Sequence, residues 1–500
     1  MFVCDLAQGS FALDVLPADE VVQGGTEFHR WFERVVDDPC AVLLDSAAVG
    51  SRFSQRSIIA IEPEALLVAR GSQLAVAGIA DLELHVWGEE RSVAAPEVRK
   101  YAAAPFAELE RLLAERRIPA ELRAQLPDGF IGGAIGFVGY DAGRFIERLP
   151  ERAARDLPVP ELCFAFMDAL LVFEHETGVA RWVASARGSD RAQAEARCAA
   201  RMQRLRARFE RAPQPRAPRE PIAPARPNME ARAYADMVRA AKQQIMAGNV
   251  FEVCTSQRLE TAFPCSRGAT WDLYLALRAQ SPAAFACCVL TPWACLLSSS
   301  PERFLSSSSD GLAESRPIKG TRPRHSDRAE DARLGDELAS SEKDRAENIM
   351  IVDLVRNDLG RVCAVDSIHV PELMIIEQHP SVYHLVSTVR GRIEPGVTPV
   401  QLFTACFPPG SMTGAPKIEA MKVIDALEPV RRALYAGAVG YFDIGGALDF
   451  SVVIRSFVIV EDRCTLNVGG AVVADSDPEA EYRESMDKAR ALLSALEERR

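Results

Sequence analysis

Residues 451–460 read Ser451-Val452-Val453-Ile454-Arg455-Ser456-Phe457-Val458-Ile459-Val460, a strong β pattern that predicts one strand. Because successive side chains of a strand point to opposite faces, Val453, Arg455, Phe457 and Ile459 share one face. The guanidinium of Arg455 therefore emerges among apolar neighbours and needs an anion. A structural carboxylate is the simpler interpretation for a single arginine on a strand, and the carboxylate of a ligand is the alternative.

Around this stretch, strand-like and helix-like segments alternate. Further strand-like segments cover residues 250–259, 285–290 and 464–468. Helical patterns lie near residues 231–248, 327–341, 342–357, 416–427 and 478–498. The mixture predicts an α+β fold in which helices pack over large sheets.

A proline-rich segment divides the chain. It runs from Arg211 to Pro221 and continues through Pro227, and its proline density excludes both helix and central strand. We therefore expect an N-terminal α+β region over residues 1–210, a linker over 211–228 and a second domain over 229–500. The N-terminal region contains the β-type runs Ala41–Leu44 and Ala169–Phe173 and a helical run from Arg191 to Phe209.

Composition is that of a globular protein with enough apolar material for large cores. The chain has 500 residues, 48% of them apolar and 26% charged, and a net charge of -12, which argues against a nucleic-acid binder. No apolar stretch approaches the roughly 20 residues that span a bilayer, and the N-terminus lacks a signal-peptide pattern, so we expect a cytoplasmic protein. The 12 cysteines form no Cys-x-x-Cys pair, which argues against a metal-thiolate site.

Two predicted helices each carry a pair of carboxylates on one face. Asp344 and Glu347 are three residues apart, as are Glu481 and Glu484, with Lys488 one turn later. If the helices face each other, each close pair of carboxylates costs roughly 4 kcal/mol at an effective dielectric of 20 unless a cation intervenes. All-oxygen ligation favours magnesium over zinc. Spacing alone is explained more simply by solvated helix faces.

Two glycine-bearing segments are suited to binding an anion. Pro409–Lys417 contains Thr413 and Gly414 and leads into a helix whose free amides accept a carboxylate, although a well-capped helix explains it equally. Gly469 and Gly470 end a strand and permit close backbone approach by a ligand, although a bulge or turn is the commoner use of such a pair.

Several motifs, in this order and spacing, resemble those of the chorismate-utilising enzymes over roughly residues 228–497. The motifs are Ser299-Ser300-Pro301-Glu302-Arg303-Phe304, Pro317-Ile318-Lys319-Gly320-Thr321, Arg345-Ala346-Glu347-Asn348, His384-Leu385-Val386-Ser387 and Gly414-Ala415-Pro416-Lys417. The family includes anthranilate, aminodeoxychorismate, isochorismate and salicylate synthases. The resemblance implies large β-sheets packed as a sandwich with helices on the outside, and residues 229–500 as the chorismate-binding catalytic domain.

The resemblance also implies roles for individual residues. Glu347 and Glu484 would ligate Mg²⁺ directly, and Asp344 and Glu481 would do so through water. The groups implied to hold chorismate are His384, Thr413, Gly414, Tyr435, Arg455, Gly469, Gly470 and Lys488.

Glu302 matches the general acid of the family, which expels the 4-hydroxyl group of chorismate. A carboxylic acid donates a proton at neutral pH only if desolvation raises its pKa. The alternative for Glu302 is a surface ion pair with Arg303.

Lys319 distinguishes branches of the family, because aminodeoxychorismate synthases carry lysine where anthranilate synthases resemble it with alanine. The resemblance implies that the Lys319 amine attacks C2 of chorismate and that ammonia then attacks C4 and expels it. Attack requires a deprotonated lysine, which desolvation and positive charge from Arg316, Arg322 or magnesium would favour. The alternative is a solvated turn lysine beside Gly320.

Three further positions bear on the reaction. Asp344 and Asn348 resemble aminodeoxychorismate synthases, whereas anthranilate synthases commonly have Glu and His there. Water-using members place a lysine base where this chain has Glu252, which disfavours isochorismate and salicylate formation. Glu252 also departs from the glutamine expected in ammonia users, and its role stays open.

The N-terminal stretch Leu43-Leu44-Asp45-Ser46 resembles a family motif that contributes to a tryptophan feedback pocket. A buried strand that ends in a turn explains Leu44, Asp45 and Ser46 equally well.

The chain lacks a Gly-x-Cys-x-Gly glutaminase motif, so we expect a separate glutamine amidotransferase subunit that supplies ammonia within a heterodimer. The resulting prediction is an aminotransfer to chorismate that serves p-aminobenzoate and folate synthesis. Anthranilate synthase component I is the enzymatic alternative, and a non-catalytic chorismate-binding or regulatory subunit is the alternative of another class.

Overall fold

Two large antiparallel sheets form the centre of the computed structural model. The structure describes residues 1–6, 9–17, 25–48, 50–71, 73–78, 104–126, 129–213, 222–264, 266–379 and 382–498. None of the helices within these ranges has the length and apolar character needed to cross a membrane.

The first sheet has 13 strands, of which 12 follow one another and the short β20 pairs with β12. In spatial order they are β1 (Phe2–Leu6), β2 (Gly9–Pro17), β10 (Val179–Gly188), β9 (Ala169–Glu174), β4 (Arg56–Ile61), β3 (Ala41–Asp45), β13 (Phe285–Leu290), β14 (Cys295–Ser300), β23 (Ser456–Val460), β24 (Arg463–Val472), β12 (Glu252–Ala262) and β11 (Arg226–Pro227), with β20 (Gly414–Ala415) beside β12.

The second sheet has 11 strands, and β18 pairs with β19 beside the main path. In spatial order they are β17 (Ile318–Pro323), β19 (Val382–Arg392), β16 (Leu312–Ser315), β15 (Arg303–Ser307), β22 (Leu448–Val452), β21 (Ala438–Asp443), β7 (Gly133–Val138), β8 (Leu162–Met167), β5 (Ala65–Arg70) and β6 (Gln73–Gly78), with β18 (His369–Gln378) beside β19.

The helices connect these strands. They are α1 (Pro105–Arg116), α2 (Ala120–Arg123), α3 (Arg191–Phe209), α4 (Ala231–Met246), α5 (Arg267–Gln280), α6 (Arg328–Ser340), α7 (Glu342–Gly360), α8 (Pro399–Cys406), α9 (Lys417–Leu427) and α10 (Pro478–Glu497). Short 3-10 turns cover Gly25–Arg34, Tyr140–Phe145 and Gly410–Met412.

The sheets pack face to face, and helices cover their outer faces. Val42 and Leu296 of the first sheet share a buried core with Phe137 and Val439 of the second. Helices α3, α5 and α10 pack on the outer face of the first sheet, and α1, α7 and α8 on that of the second. The predicted α+β sandwich with helices outside is therefore confirmed. Burial on both faces explains why so many strands are apolar throughout.

Adjacent side chains divide between these layers as strand geometry requires. Cys287 lies in the core between the sheets, whereas Cys288 lies in the core beneath the helices. The two thiols therefore point to opposite faces of β13.

The prediction of one strand over residues 451–460 is wrong. Strand β22 ends at Val452 in the second sheet, and β23 begins at Ser456 in the first. Arg455 lies at the crossing with a φ of 52°, outside the extended region. Both strands are buried on both faces, so the apolar pattern continues across the break and does not reveal it.

Both sheets contain strands from either side of the predicted linker. Strand β3 pairs with β13 in the first sheet, and β7 pairs with β21 in the second. Each sheet thus contains strands from residues before the segment 211–228 and strands from residues after it. Residues 214–221 of that segment lie outside the described residues.

Candidate functional site

The predicted site residues converge between the edge of the second sheet and the first sheet. Helix α7 packs against β17, helix α10 packs against β24, and β24 pairs with β12. Lys319 on β17 and Glu252 on β12 therefore approach each other from different sheets.

A bulge in strand β17 turns the Lys319 side chain away from the regular pairing with β19. The pairing of β17 with β19 shifts register between Ile318 and Thr321, and Gly320 has a φ of 88°. This φ strains any residue with a Cβ, and a Cβ at Gly320 would also lie 2.8 Å from Leu338 Cδ1 and 3.0 Å from Asp344 Cβ, so the turn favours glycine. The Lys319 side chain is thereby directed into the protein, where it is only 8% exposed. The solvated-turn alternative for Lys319 is wrong.

Lys319 forms a buried ion pair with Glu252. The Lys319 Nζ atom lies 2.5 Å from Glu252 Oε1, and Glu252 is fully buried. Glu252 Oε2 has no hydrogen-bond partner among the described residues. Gly414 lets β20 lie against this strand, because a Cβ there would lie 2.1 Å from the Glu252 carbonyl oxygen.

The surroundings of Lys319 hold it charged. Burial opposes the charge, but the Glu252 carboxylate outweighs burial and raises the pKa of Lys319. Arg316 donates to Glu372 and Glu377, both at 2.6 Å, so its charge is compensated. Arg322 likewise donates to carboxylates, Asp344 at 3.1 Å and Glu337 at 3.0 Å. The expectation that desolvation and these arginines favour a neutral lysine is wrong, because a carboxylate lies directly on the amine.

Glu302 lies in the turn between β14 and β15 and is only 5% exposed. Burial raises the pKa of Glu302 to about 7, against the opposing effects of a Ser411 hydrogen bond and the charge of Lys319. Arg303 instead pairs with Asp449 at 2.8 Å. The alternative of a surface ion pair between Glu302 and Arg303 is therefore wrong, and the carboxyl has the protonation range of a general acid.

The two acidic helices face each other across a lysine. Lys343 Nζ lies 3.8 Å from Glu347 Oε1 on its own helix and 3.8 Å from Glu481 Oε1 on α10. Glu484 pairs with Lys488 at 2.8 Å. Asp344 pairs with Arg322 rather than with a helix neighbour. In the described ranges, no three His, Cys, Asp or Glu side chains lie close enough to hold a metal ion as they stand.

The chemistry of this cluster nevertheless fits a hard cation. Burial raises the pKa of Glu347 to about 7, even though Lys319 lowers it, and Glu347 Oε1 accepts no hydrogen bond from a described residue. The half-exposed ammonium of Lys343 stands between two carboxylates, where a divalent cation would relieve the same repulsion. Mg²⁺ takes one or two protein carboxylates and fills its remaining positions with water and substrate oxygens.

Arg455 lies above this cluster without a carboxylate. Its Nη1 atom donates to the Lys488 carbonyl oxygen at 2.9 Å, and no described acidic side chain forms an ion pair with it. The structural ion pair considered for Arg455 is thus absent from the described residues. Burial lowers its pKa, whereas Tyr435 opposes that effect.

His384 is the neutral neighbour of this arginine. Burial, with smaller effects of His379 and Arg455, lowers the pKa of His384 to about 3. Its Nδ1 atom lies 3.0 Å from Thr321 Oγ1. A neutral imidazole donates or accepts a hydrogen bond and adds no charge.

The glycines bring backbone close to the carboxylates. Strands β12 and β24 pair without a register shift through Gly469 and Gly470, so the bulge considered for this pair is wrong. A Cβ at Gly470 would lie 2.8 Å from Glu481 Oε2. Thr413 is fully buried, and Gly414 has a φ of 137°. Helix α9 begins at Lys417 with Pro416 at its N-cap, one residue after the start of the helical pattern over residues 416–427.

Three contributions were not evident from the sequence. Lys343 bridges the acidic helices, and Ser411 contacts Glu302. Asn348 is fully buried and accepts a hydrogen bond from Ser387 at 2.5 Å, which ties α7 to β19 and holds Glu347 in place. Two of them had a signal in the sequence: the four-residue spacing of Lys343 and Glu347, and Asn348 as a residue of the family motif, although its hydrogen bond was not foreseen.

The N-terminal motif lies at a separate cavity between the sheets. Leu44, Asp45 and Ser46 line this space of about 410 Å³. Asp45 Oδ2 accepts hydrogen bonds from Tyr274 at 2.9 Å and Arg278 at 2.6 Å. The strand therefore ends at this cavity, and the Asp45 carboxylate is already paired within the protein.

Comparison with known proteins identifies relatives of the whole sandwich. A family described as chorismate binding enzyme matches residues 63–494. An aminodeoxychorismate synthase of Streptomyces pristinaespiralis is 44% identical over 398 residues, which cover 78% of this chain but 54% of that protein, so the chain spans about half of that relative. Aminodeoxychorismate synthase component 1 of Escherichia coli (strain K12) is 34% identical over 478 residues, which cover 95% and 97% of the two chains. The solved anthranilate synthase component I of Streptococcus pneumoniae TIGR4 superposes with a TM-score of 0.73 at 27% identity and covers 88% of this chain and 92% of that one.

Replacing Glu302 is expected to change how stability depends on pH. Glu302 keeps its proton in the folded state up to about pH 7, but a free glutamate loses it near pH 4.5, so wild-type stability falls as the pH rises through this window. Glu302→Gln lacks this fall. Its free energy of unfolding relative to wild type is therefore expected to rise by on the order of 3 kcal/mol between acidic pH and pH 8.

Urea denaturation at a series of pH values measures this difference. Glu419→Gln, at an exposed position of α9, controls for the exchange of a glutamate. Parallel pH profiles of Glu302→Gln and wild type would show that Glu302 ionises as an ordinary carboxyl group.

Proposed function

Because this chain belongs to the family of chorismate-binding enzymes, we propose that it aminates chorismate with ammonia to form 4-amino-4-deoxychorismate. The observation that carries this proposal is that Lys319 and Glu302 are both buried and close enough to influence each other electrostatically. Burial raises the pKa of Glu302 to about 7. The similarity to relatives named aminodeoxychorismate synthase supports the same reaction.

Chorismate carries two carboxylates, and the site offers cationic and backbone groups to receive them. Arg455 forms no ion pair with any acidic side chain that the structure describes, and Lys488 Nζ donates to the Gly469 carbonyl oxygen at 2.9 Å. In the proposal these groups orient the dianion. The neighbouring groups that would complete the pocket are His384, Thr413, Gly414, Tyr435 and the amides of Gly469 and Gly470.

The acidic helices would hold Mg²⁺. In this proposal Glu347 and Glu484 ligate the ion directly, and Asp344 and Glu481 do so through water. The bound ion supplies positive charge against a substrate carboxylate. The lysines now paired with Glu347, Glu481 and Glu484 would give way, and Lys343 is exposed enough to do so.

Covalent chemistry then divides one substitution into two. The amine of Lys319 forms a bond to C2 of chorismate, the ring double bonds shift, and the 4-hydroxyl group leaves as water with the proton of Glu302. Ammonia next forms a bond to C4, the double bonds shift back, and the bond between C2 and Lys319 breaks. The incoming amine returns a proton to Glu302, so the acid is restored.

A separate glutamine amidotransferase is the proposed source of ammonia, and the product would serve p-aminobenzoate and folate synthesis. The Escherichia coli relative is named as a component 1, which supports a two-subunit arrangement.

Anthranilate synthase is the second candidate, because the Streptococcus pneumoniae structure covers most of this chain. That reaction eliminates pyruvate after amination. Lys319 favours the first candidate, because a buried lysine at the reacting ring has no use in a direct attack of ammonia.

Product analysis tests the reaction. The purified chain with chorismate, MgCl₂ and ammonium chloride is expected to yield aminodeoxychorismate without pyruvate. Lys319→Ala is expected to lower the rate at least about a hundredfold, because it removes the nucleophile. Lys422→Ala, an exposed lysine paired with Glu419, is the matched control. Omission of MgCl₂ is expected to stop chorismate consumption, and formation of anthranilate with pyruvate by wild type would contradict the proposal.

We propose in addition that the cavity at Leu44, Asp45 and Ser46 receives tryptophan. Calorimetry with millimolar tryptophan is expected to give binding heat for wild type. Cys287→Phe is expected to lose it, because the Cys287 side chain lies on the face of β13 between the sheets and the larger side chain would fill the cavity. Absence of heat with wild type would remove this proposal without affecting the amination reaction.

A further inference from the structure

The buried pair of Lys319 and Glu252 poses a chemical problem for the proposed reaction. A lysine that is held as an ammonium ion has no lone pair and forms no bond to carbon. Lys319 is held in this form by the carboxylate 2.5 Å away. A group within the site must therefore take its proton before the first bond forms.

Few groups face the amine of Lys319. Those with an electrostatic influence on it are Glu252 and Cys254 on β12, Glu302 before β15, Glu347 on α7 and Glu484 on α10. Glu302 must enter the reaction protonated, and Glu484 is paired with Lys488. The Cys254 thiol donates to the Ser411 carbonyl oxygen at 3.2 Å. Among the described side chains, the Glu252 carboxylate is the acceptor that hydrogen-bonds Lys319 directly.

We infer that Glu252 is the general base that takes the proton of Lys319 before the amine attacks C2 and returns it when Lys319 leaves. This inference rests on the proposed function. Glu252 is a catalytic residue in this account, because it touches the reacting nitrogen.

The proton balance closes over one cycle. One proton moves from Lys319 Nζ to Glu252 Oε1, and the neutral amine bonds to C2 while Glu302 protonates the departing 4-hydroxyl group. When ammonia has bonded to C4, the C2–nitrogen bond breaks and its electron pair returns to Lys319. Glu252 then gives its proton back to Lys319, and Glu302 takes one from the new C4 amine.

Burial makes the first transfer accessible. Moving one proton along the short hydrogen bond turns an ion pair into a neutral pair without changing the net charge of the site. Lys319 is 8% exposed and Glu252 is fully buried. The charged forms of both groups therefore lose solvation by water, and this loss costs the neutral forms much less.

The second oxygen of Glu252 points to the same conclusion. A buried carboxylate that accepts two or three hydrogen bonds is held ionised. Glu252 Oε2 accepts none from the described residues, so among them the contact with Lys319 is the one hydrogen bond that this carboxylate accepts. The strand pairing of Glu252 with Ala415 and the close approach of Gly414 fix its backbone beside β17.

The first half-reaction tests this role, because it needs no ammonia. Wild type is mixed with chorismate and MgCl₂ and quenched in acid, and intact-protein mass spectrometry follows the covalent adduct. Glu252→Gln keeps the shape and a hydrogen-bond acceptor but not the base. Its rate of adduct formation at pH 7 is expected to fall by about 10²–10⁴-fold. The rate of adduct formation by Glu252→Gln is also expected to rise with pH, because bulk hydroxide then removes the proton of Lys319. The rate of wild type is expected to change less with pH.

The competing role predicts the opposite sign. If Glu252 only pairs with Lys319, glutamine leaves a buried lysine that loses its proton more readily, and the adduct forms as fast or faster. That result would overturn the inference. A slower Glu252→Gln whose pH profile parallels that of wild type would also overturn it, since a purely structural loss does not change the profile.

Two further variants keep the result interpretable. Glu252→Asp retains a carboxylate one methylene shorter, and it is expected to recover part of the rate with the wild-type pH profile. Glu260→Gln, on the same strand with a 42% exposed side chain, is the matched control. Calorimetric binding of chorismate with MgCl₂ checks that each variant is folded. Absence of adduct on wild type would remove the covalent role of Lys319 itself, whereas equal rates for wild type and Glu252→Gln would remove only the role of Glu252.

Discussion

A buried ammonium and a buried carboxylate, Lys319 and Glu252, meet 2.5 Å apart between two different sheets. Removing both charges from water costs several kcal/mol per ion, and only close, well-fixed geometry offsets that cost. The bulge at Gly320 and the pairing of β20 with β12 supply this geometry from opposite sides. The relative position of the two sheets is therefore tied to the site that they enclose.

Around this pair, an acidic protein assembles a site of mixed charge. Lys343 and Lys488 neutralise carboxylates of α7 and α10, while Arg455 has no carboxylate partner in the described structure. Burial keeps His384 neutral and Glu302 half protonated near neutral pH. In our proposal such a site receives a dianion and provides both an acid and a base. Acid and base chemistry at one pH requires that the environments of two titratable groups shift their pKa values in different directions.

Local pattern predicted much of the fold. The helix expected over residues 191–209 is α3, and that expected over 478–498 is α10, because their periodicity and caps are written in consecutive residues. The sheet crossing at Arg455 was not predictable, because apolar alternation continues through it. The family motifs located Glu302 and Lys319, but the partner of Lys319 lies 67 residues away on another sheet. No periodicity or spacing relates such residues. The sequence therefore predicted a neutral Lys319, whereas its surroundings in the structure hold it charged.

Peptide mapping of the trapped protein tests the central claim most directly. Wild type incubated with chorismate and MgCl₂ without ammonia, quenched in acid and digested, is predicted to carry the ring-derived mass on Lys319 and on no other residue. Unmodified Lys319 in protein that still converts chorismate to aminodeoxychorismate when ammonia is added would contradict the account.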